Sequence, residues 1–275
     1  MQGNPFKTGS PALFILQDYL KRGKKMLLRL SVIAMMSLLS AGLSAAQATA
    51  KDLTAEQFMS IVRNPPGRDS WAKMEGYAMH KREGARPVKA QIRMGTLFTP
   101  ERTIAQITFN KNEVYNIGQT YGENPQSTME SGGFAPGKAQ IGIYGINPED
   151  LTMNFIYWKL KVENPAGSVR GQACRVFTLI APNGKDAVMV YISTDYFFPL
   201  RAAWYKVAPD GRSLEKKPFR ILEVSGFRKE KDFWLVSRLN LTGGDGNWNT
   251  VIRFDETSAG LSKNGIPEDV FNVSG

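Results

Sequence analysis

One cysteine and one histidine in 275 residues leave little material for several kinds of chemistry. A lone Cys174 closes no intramolecular disulfide and builds no cysteine-rich zinc site, and a lone His80 falls short of the two or three imidazoles that most transition-metal sites draw on. No metal ligand, cofactor or cofactor-binding residue is therefore assigned. Long helical patterns between strands are missing as well, which argues against a βαβ architecture, and the glycine-containing turns lack the strand-to-helix context of a phosphate loop. What is present is apolar enough to fold: 42% hydrophobic, 11% aromatic and 22% charged residues exclude a disordered chain and suffice for one sizeable core.

The net charge of +10 divides into two equal shares. Half of it lies in residues 1–50, where Lys7, Lys21, Arg22, Lys24, Lys25 and Arg29 face Asp18 alone. The apolar run over residues 30–43 (LSVIAMMSLLSAGL) follows this basic stretch and leads into small residues suited to a signal peptidase. Residues 1–50 read as a secretory signal peptide region, with Met26 as the expected true start and cleavage after Ala46, Ala48 or Ala50. The run is shorter than the roughly 20 residues of a stable anchor, and no cysteine stands at the cleavage region to be lipidated. The expected product is a soluble, unlipidated periplasmic domain over residues 51–275.

Export narrows the reading of the remaining features. The mature charge is interleaved with acids and aromatics and meets little nucleic acid outside the cell, so no nucleic-acid partner is expected. A single thiol in an oxidising compartment survives by burial, and the flanks Ala173, Val176 and Phe177 make Cys174 a core thiol. His80, in Ala78-Met79-His80-Lys81, has no acid or nucleophile beside it and reads as a strand residue.

Thr54 and Gln57 form a capping-box pair ahead of Phe58, Ile61 and Val62, which predicts one short amphipathic helix ended by Asn64-Pro65-Pro66-Gly67. From Trp71 onward the period changes to two. Val88, Ala90, Ile92, Met94 and Phe98 alternate with Lys89, Gln91 and Arg93; Thr103, Ala105, Ile107 and Phe109 repeat the pattern. Tight turns punctuate the second half at residues 208–212, 229–232 and 243–246, so successive strands there are antiparallel neighbours, roughly ten or eleven strands in all. Residues 121–147, rich in Gly, Pro, Ser and Asn, read as an irregular lid-like stretch. After it Leu151, Phe155 and Trp158 fall at helical spacing behind Asn147 as cap.

A sheet with one apolar face and two short helices closes on itself, stacks on a second sheet or curls around a helix. Curling leaves a hollow that an apolar ligand can enter, and Met79, Met94, Met153 and Met189 suit an adaptable lining. From the pattern alone, a core filled by its own side chains is the favoured alternative. Catalytic constellations are weak: Asp195 beside Tyr196, or Glu149 beside Asp150, lacks the separation of a glycosidase pair, and no nucleophile-elbow pattern accompanies His80.

The run Asp150-Leu151-Thr152-Met153-Asn154-Phe155-Ile156-Tyr157-Trp158, followed by Val169-Arg170-Gly171-Gln172-Ala173-Cys174-Arg175-Val176-Phe177, resembles the DLSxDFLYW and VxGxxCxVxEL stretches of the LolA-like outer-membrane lipoprotein-sorting proteins. Residues 191–201, 219–227 and 233–241 are similar to their later strands, and Gly265-Ile266-Pro267-Glu268-Asp269-Val270-Phe271 to their closing turn and short helix. The likeness covers residues 145–272 well and 52–120 in outline. Residues 142–150 depart from the family pattern and follow the Gly/Pro-rich insert.

The resemblance implies a mainly β fold, a single unclosed antiparallel β-barrel (half-barrel) curled around a few short helices. It further implies a periplasmic carrier of lipid or lipoprotein acyl chains, a monomer that takes cargo from an inner-membrane donor and passes it to an outer-membrane acceptor. The inward-facing candidates for an acyl-chain cavity are Ile92, Met94, Ile107, Phe109, Phe155, Trp158, Phe177, Ile192, Trp204, Leu235, Leu239 and Ile252. No catalytic residue is assigned. The alternatives are a non-catalytic envelope structural or interaction protein with a fully packed core, and a hydrolase using Asp195 or Glu149.

Overall fold

The computed structural model describes residues 50, 52–64, 69–122, 124–134, 138–209 and 213–271. The expected signal peptide and its cleavage positions Ala46 and Ala48, the helix-ending Pro65-Pro66-Gly67 and the turn residues Asp210, Gly211 and Arg212 lie outside the described residues.

Twelve strands form one antiparallel sheet: β1 (Ser70–Arg82), β2 (Val88–Phe98), β3 (Arg102–Phe109), β4 (Glu113–Thr120), β5 (Ser127–Gly132), β6 (Lys159–Val169), β7 (Gln172–Ile180), β8 (Asp186–Ser193), β9 (Pro199–Lys206), β10 (Arg220–Glu230), β11 (Phe233–Gly243) and β12 (Trp248–Leu261). Their spatial order is β5-β4-β3-β2-β1-β12-β11-β10-β9-β8-β7-β6. Two meanders, β1–β5 and β6–β12, therefore meet along β1 and β12, and β5 and β6 remain as free edges of an unclosed barrel. Period-two burial follows: Ala90, Ile92, Met94, Thr96 and Phe98 of β2 all face the core. Gly76 lets the sheet bend at the β1–β12 register shift, because a Cβ there would stand 1.9 Å from the Arg253 carbonyl oxygen.

That strand order forces one connection, β5 to β6, to travel from one edge of the sheet to the other. It does so across the concave face, and its apolar residues Ile141, Tyr144, Ile146, Leu151, Met153, Phe155 and Ile156 are buried in the core. The expected lid-like stretch is thus less irregular than its composition implies. Residues 127–132 add the edge strand β5, and Ile141–Tyr144 make a 3-10 turn. The strand count rises to twelve partly for this reason, since the six residues of β5 are all exposed and carry no apolar alternation.

The two expected helices are short. α1 (Ala55–Arg63) has the capping box read from the sequence, with the Gln57 amide donating to Thr54 Oγ1 at 3.2 Å and the Thr54 amide to Gln57 Oε1 at 2.9 Å. Phe58, Met59 and Val62 form its buried face, and Ile61 is only partly buried. The second, α2 (Pro148–Thr152), stops early. Met153 takes a left-handed conformation (φ 55°), and Asn154–Tyr157 continue as a 3-10 turn. Leu151 and Phe155 are still buried, but the single helix expected through residue 158 is broken in two.

Candidate functional site

The hollow lies between the concave face and the two helical plugs, with a volume of about 110 Å³. Its wall is predominantly apolar. β1 supplies Ala72 and Met74, β2 supplies Met94 and Phe98, β11 supplies Leu235 and Leu239, and the crossing segment covers them with Leu151, Met153 and Ile156. Three methionines among these residues give a surface that can reshape around an apolar guest.

One side of the hollow is a parting in the sheet. β10 pairs with β9 only over residues 220–223, and β11 with β12 only over residues 238–242, whereas the β10–β11 hairpin runs on to Glu230 and Phe233. Among the described residues the far half of this hairpin has no further strand pairing, and Arg228 Nη1 donates across to the Asp255 carbonyl of β12. Phe227, Trp234 and Val236 on it are partly exposed and line the hollow, with Phe227 edge-on to Phe198 at 5.9 Å between ring centroids.

The plugs are latched to each other. Arg63, the last residue of α1, donates through Nε to the Ile156 carbonyl at 2.8 Å and through Nη2 to the Trp158 carbonyl at 2.6 Å. The Tyr157 hydroxyl returns a hydrogen bond to the Arg63 carbonyl at 3.2 Å. Val62, Leu151, Met153, Ile156 and Tyr157 all line the hollow, so the latch spans its roof. Burial pushes the Tyr157 and Tyr121 hydroxyls well above the ordinary phenol range, so both remain protonated.

Gln119, Asn154 and Tyr157 line the hollow on one side and a second, wider groove of about 900 Å³ on the other. Aromatic rings (Phe155, Trp158, Trp204, Phe219) and polar groups together line this groove. Asp150 and Arg220 form a buried bidentate pair at 2.6 and 2.8 Å, with the guanidinium 4.1 Å above the Trp204 ring. Burial pushes the Asp150 carboxyl up, against the pull of Arg220 and of the Asn147 amide that donates to it at 2.9 Å. The groove's other cation, Lys206, pairs with Asp186 at 2.6 Å.

The twelve cavity candidates divide three ways. Met94, Leu235 and Leu239 line the hollow; Phe155, Trp158 and Trp204 line the groove; Ile92, Ile107, Phe109, Phe177, Ile192 and Ile252 are buried in the core and line neither. Inward phase alone does not separate wall from filler, because the plugs cover part of the concave face completely. Residues the sequence reading passed over include Met74, Leu151, Ile156 and Trp234, and two polar ones, Thr96 and Gln119. A signal for the last two was present. Thr96 interrupts the apolar phase between Met94 and Phe98, and Gln119 follows Tyr115 and Ile117 in the same phase of β4.

His80 and Cys174 are both core residues. His80 Nδ1 lies 2.9 Å from Thr250 Oγ1, whose own proton goes to the Tyr144 carbonyl, so the imidazole carries its proton on Nδ1. Asp195, one of the carboxylates weighed for hydrolysis, accepts from Gln172 Nε2 at 2.7 Å and lines neither cavity. Among the described residues no group of three His, Cys, Asp or Glu side chains is placed to hold a metal ion.

No protein-family model and no curated protein matches the sequence. Solved structures do match. A DUF1329 family protein from Desulfovibrio piger aligns with a TM-score of 0.56 at 14% identity, over 78% of this chain and 93% of that one. A putative outer membrane lipoprotein-sorting protein domain from Vibrio parahaemolyticus aligns with a TM-score of 0.55 at 14% identity, again over 78% and 93%. A LolA superfamily protein from Nitrosomonas europaea aligns at 0.46 and 11% identity, over 80% of this chain and all of that one. At such identities the likeness to the first two of these structures is one of fold alone.

Proposed function

We propose that this chain is a periplasmic carrier of acyl-chain cargo in outer-membrane lipoprotein or lipid sorting. In this reading residues 1–50 direct export and residues 51–275 form the carrier domain. The observation that carries it is the apolar hollow beneath two latched plugs on the concave face of an unclosed barrel. The fold likeness supports the same class, and among the described residues no helix is long and apolar enough to cross a membrane.

The mechanism is transfer of hydrocarbon from a membrane or water into the hollow, worth roughly 0.8 kcal/mol per buried methylene. At about 110 Å³ the hollow is smaller than the roughly 150 Å³ cavity that admits a benzene-sized guest. Loading an acyl chain therefore requires α1 and residues 148–157 to swing away from the sheet, which breaks the Arg63 latch. The energy of burying the chain offsets that opening. The same small volume is what favours the second reading, an envelope interaction protein whose core stays shut.

Native mass spectrometry of the protein taken from its own periplasm separates the two. The carrier reading expects a fraction of molecules with a lipid or lipoprotein adduct that detergent exchange removes. A spectrum of bare protein alone, from cells with lipoprotein traffic intact, contradicts it.

A further inference from the structure

Two buried side-chain oxygens in the wall of the hollow have no hydrogen-bond partner among the described residues. Thr96, 2% exposed, leaves its hydroxyl unpaired, and Gln119, 3% exposed, leaves Oε1 unpaired. The orientation of the Gln119 amide follows from its neighbour. Its Nε2 donates at 2.8 Å to the Thr120 carbonyl, which has no proton to give, so the orphan is an acceptor. Buried polar groups are almost always satisfied, and an exception calls for an explanation.

The position of Gln119 supplies one. It stands where the apolar hollow adjoins the wide groove, beside Asn154 and Tyr157. The side chains of those two neighbours are already engaged: Asn154 Nδ2 donates to Ser127 Oγ, its Oδ1 accepts from Thr152, and the Tyr157 hydroxyl donates to Arg63. A guest that spans the threshold with hydrocarbon on one side and a head on the other passes the orphan carbonyl at the junction. The charge of the groove limits that head. Both of its cations are committed, Arg220 to Asp150 and Lys206 to Asp186, and Glu149 adds a carboxylate with no cationic partner among the described residues.

We infer that the cargo is an amphiphile bearing an uncharged hydrogen-bond donor, an amide N–H or a hydroxyl, where its chain meets its head, and that Gln119 reads this donor while the head lies in the groove. An ester junction presents acceptors only and leaves Gln119 unmet. The inference rests on the carrier reading and goes beyond it by naming the class of junction.

The test uses two chains of equal length that differ in the junction, N-dodecylacetamide and dodecyl acetate, with dodecyl phosphate as a charged third. Each is titrated against the exported protein by isothermal calorimetry. The inference expects the amide to bind about five- to tenfold more tightly than the ester, the value of one added hydrogen bond, and the phosphate to bind no better than the amide. In Gln119→Leu the amide's advantage disappears while the ester still binds. Should that variant fail to fold, the wild-type preference still decides the junction, and Thr96→Val, which leaves Gln119 in place, should keep that preference; its loss there overturns the assignment to Gln119. Equal wild-type affinities for amide and ester, or a phosphate that binds more tightly than both, overturn the inference and leave the carrier reading standing. Undiminished amide preference in folded Gln119→Leu overturns the assignment to Gln119. Binding of none of the three sinks both.

Discussion

Arg63 Nη2 donates to the Trp158 carbonyl oxygen at 2.6 Å, across 95 residues of sequence, and so joins the end of α1 to the end of the segment that crosses the sheet. With its second bond, to Ile156, it closes the roof of the hollow without adding any apolar contact to the wall. A charged, directional latch over a greasy interior is strong when formed and leaves little behind when it opens.

Replacing Arg63 by Leu should therefore loosen the roof more than the barrel. Hydrogen bonds from a charged donor are worth about 1.5–3 kcal/mol each in favourable cases, and at this partly buried position the loss expected in urea unfolding is about 1–3 kcal/mol. Hydrogen exchange should quicken in α1 and residues 148–157 while β7 and β8 keep their protection. Uniform exchange across the molecule would contradict the latch.

The Asp150–Arg220 pair makes a larger stability prediction. Both side chains are almost wholly buried, at 4% and 10% exposure, so removing one strands the charge of the other. Arg220→Leu should cost about 3–5 kcal/mol, while the double variant Asp150→Leu/Arg220→Leu should recover much of that loss. Chemical denaturation of the three proteins measures it, and a single variant as stable as wild type would refute the pair's structural role.

How much of this was legible beforehand depends on which force shaped each part. Period-two burial in β2 and β3 and the capping box of α1 are local, and Ile92, Met94, Thr54 and Gln57 announce them directly. β5 has β4 as its strand partner and every one of its residues is exposed, so no apolar phase marks it. The break after Thr152 comes from a left-handed Met153, a backbone choice made by the crossing geometry and invisible in the side-chain spacing. The cavity wall was only partly legible, because Phe177 and Ile192 carry the same inward signature as Met94 and differ only in what lies above them. Polar intruders in an apolar phase, Thr96 and Gln119, were the better pointers.

Cys174 should behave as core. Its thiol is buried and burial pushes it up to about 11, so little thiolate exists at neutral pH. Folded protein should resist Ellman's reagent over hours and react promptly in 6 M guanidinium; fast labelling without denaturant would argue against this placement.

His80 gives the pH prediction. Burial, with help from the nearby Arg82 charge, holds its imidazole below the ordinary value of 6.5. The unfolded state then binds a proton more readily than the folded one, so this contribution is complete above about 6.5 and is lost as pH falls below it. Thermal midpoints of wild type and His80→Gln compared between pH 7.5 and 5 should show a steeper decline for wild type. Parallel declines would remove His80 as a contributor.

The most direct measurement is titration of a fluorescent fatty acid into wild type and Ala72→Leu. Ala72 is buried, lies on the wall of the hollow and leaves room that a leucine side chain would occupy. The account predicts saturable binding to wild type and at least tenfold weaker binding to the filled variant, whose circular dichroism stays native. No binding to wild type, or equal binding to both, would mean that hydrocarbon does not enter the hollow.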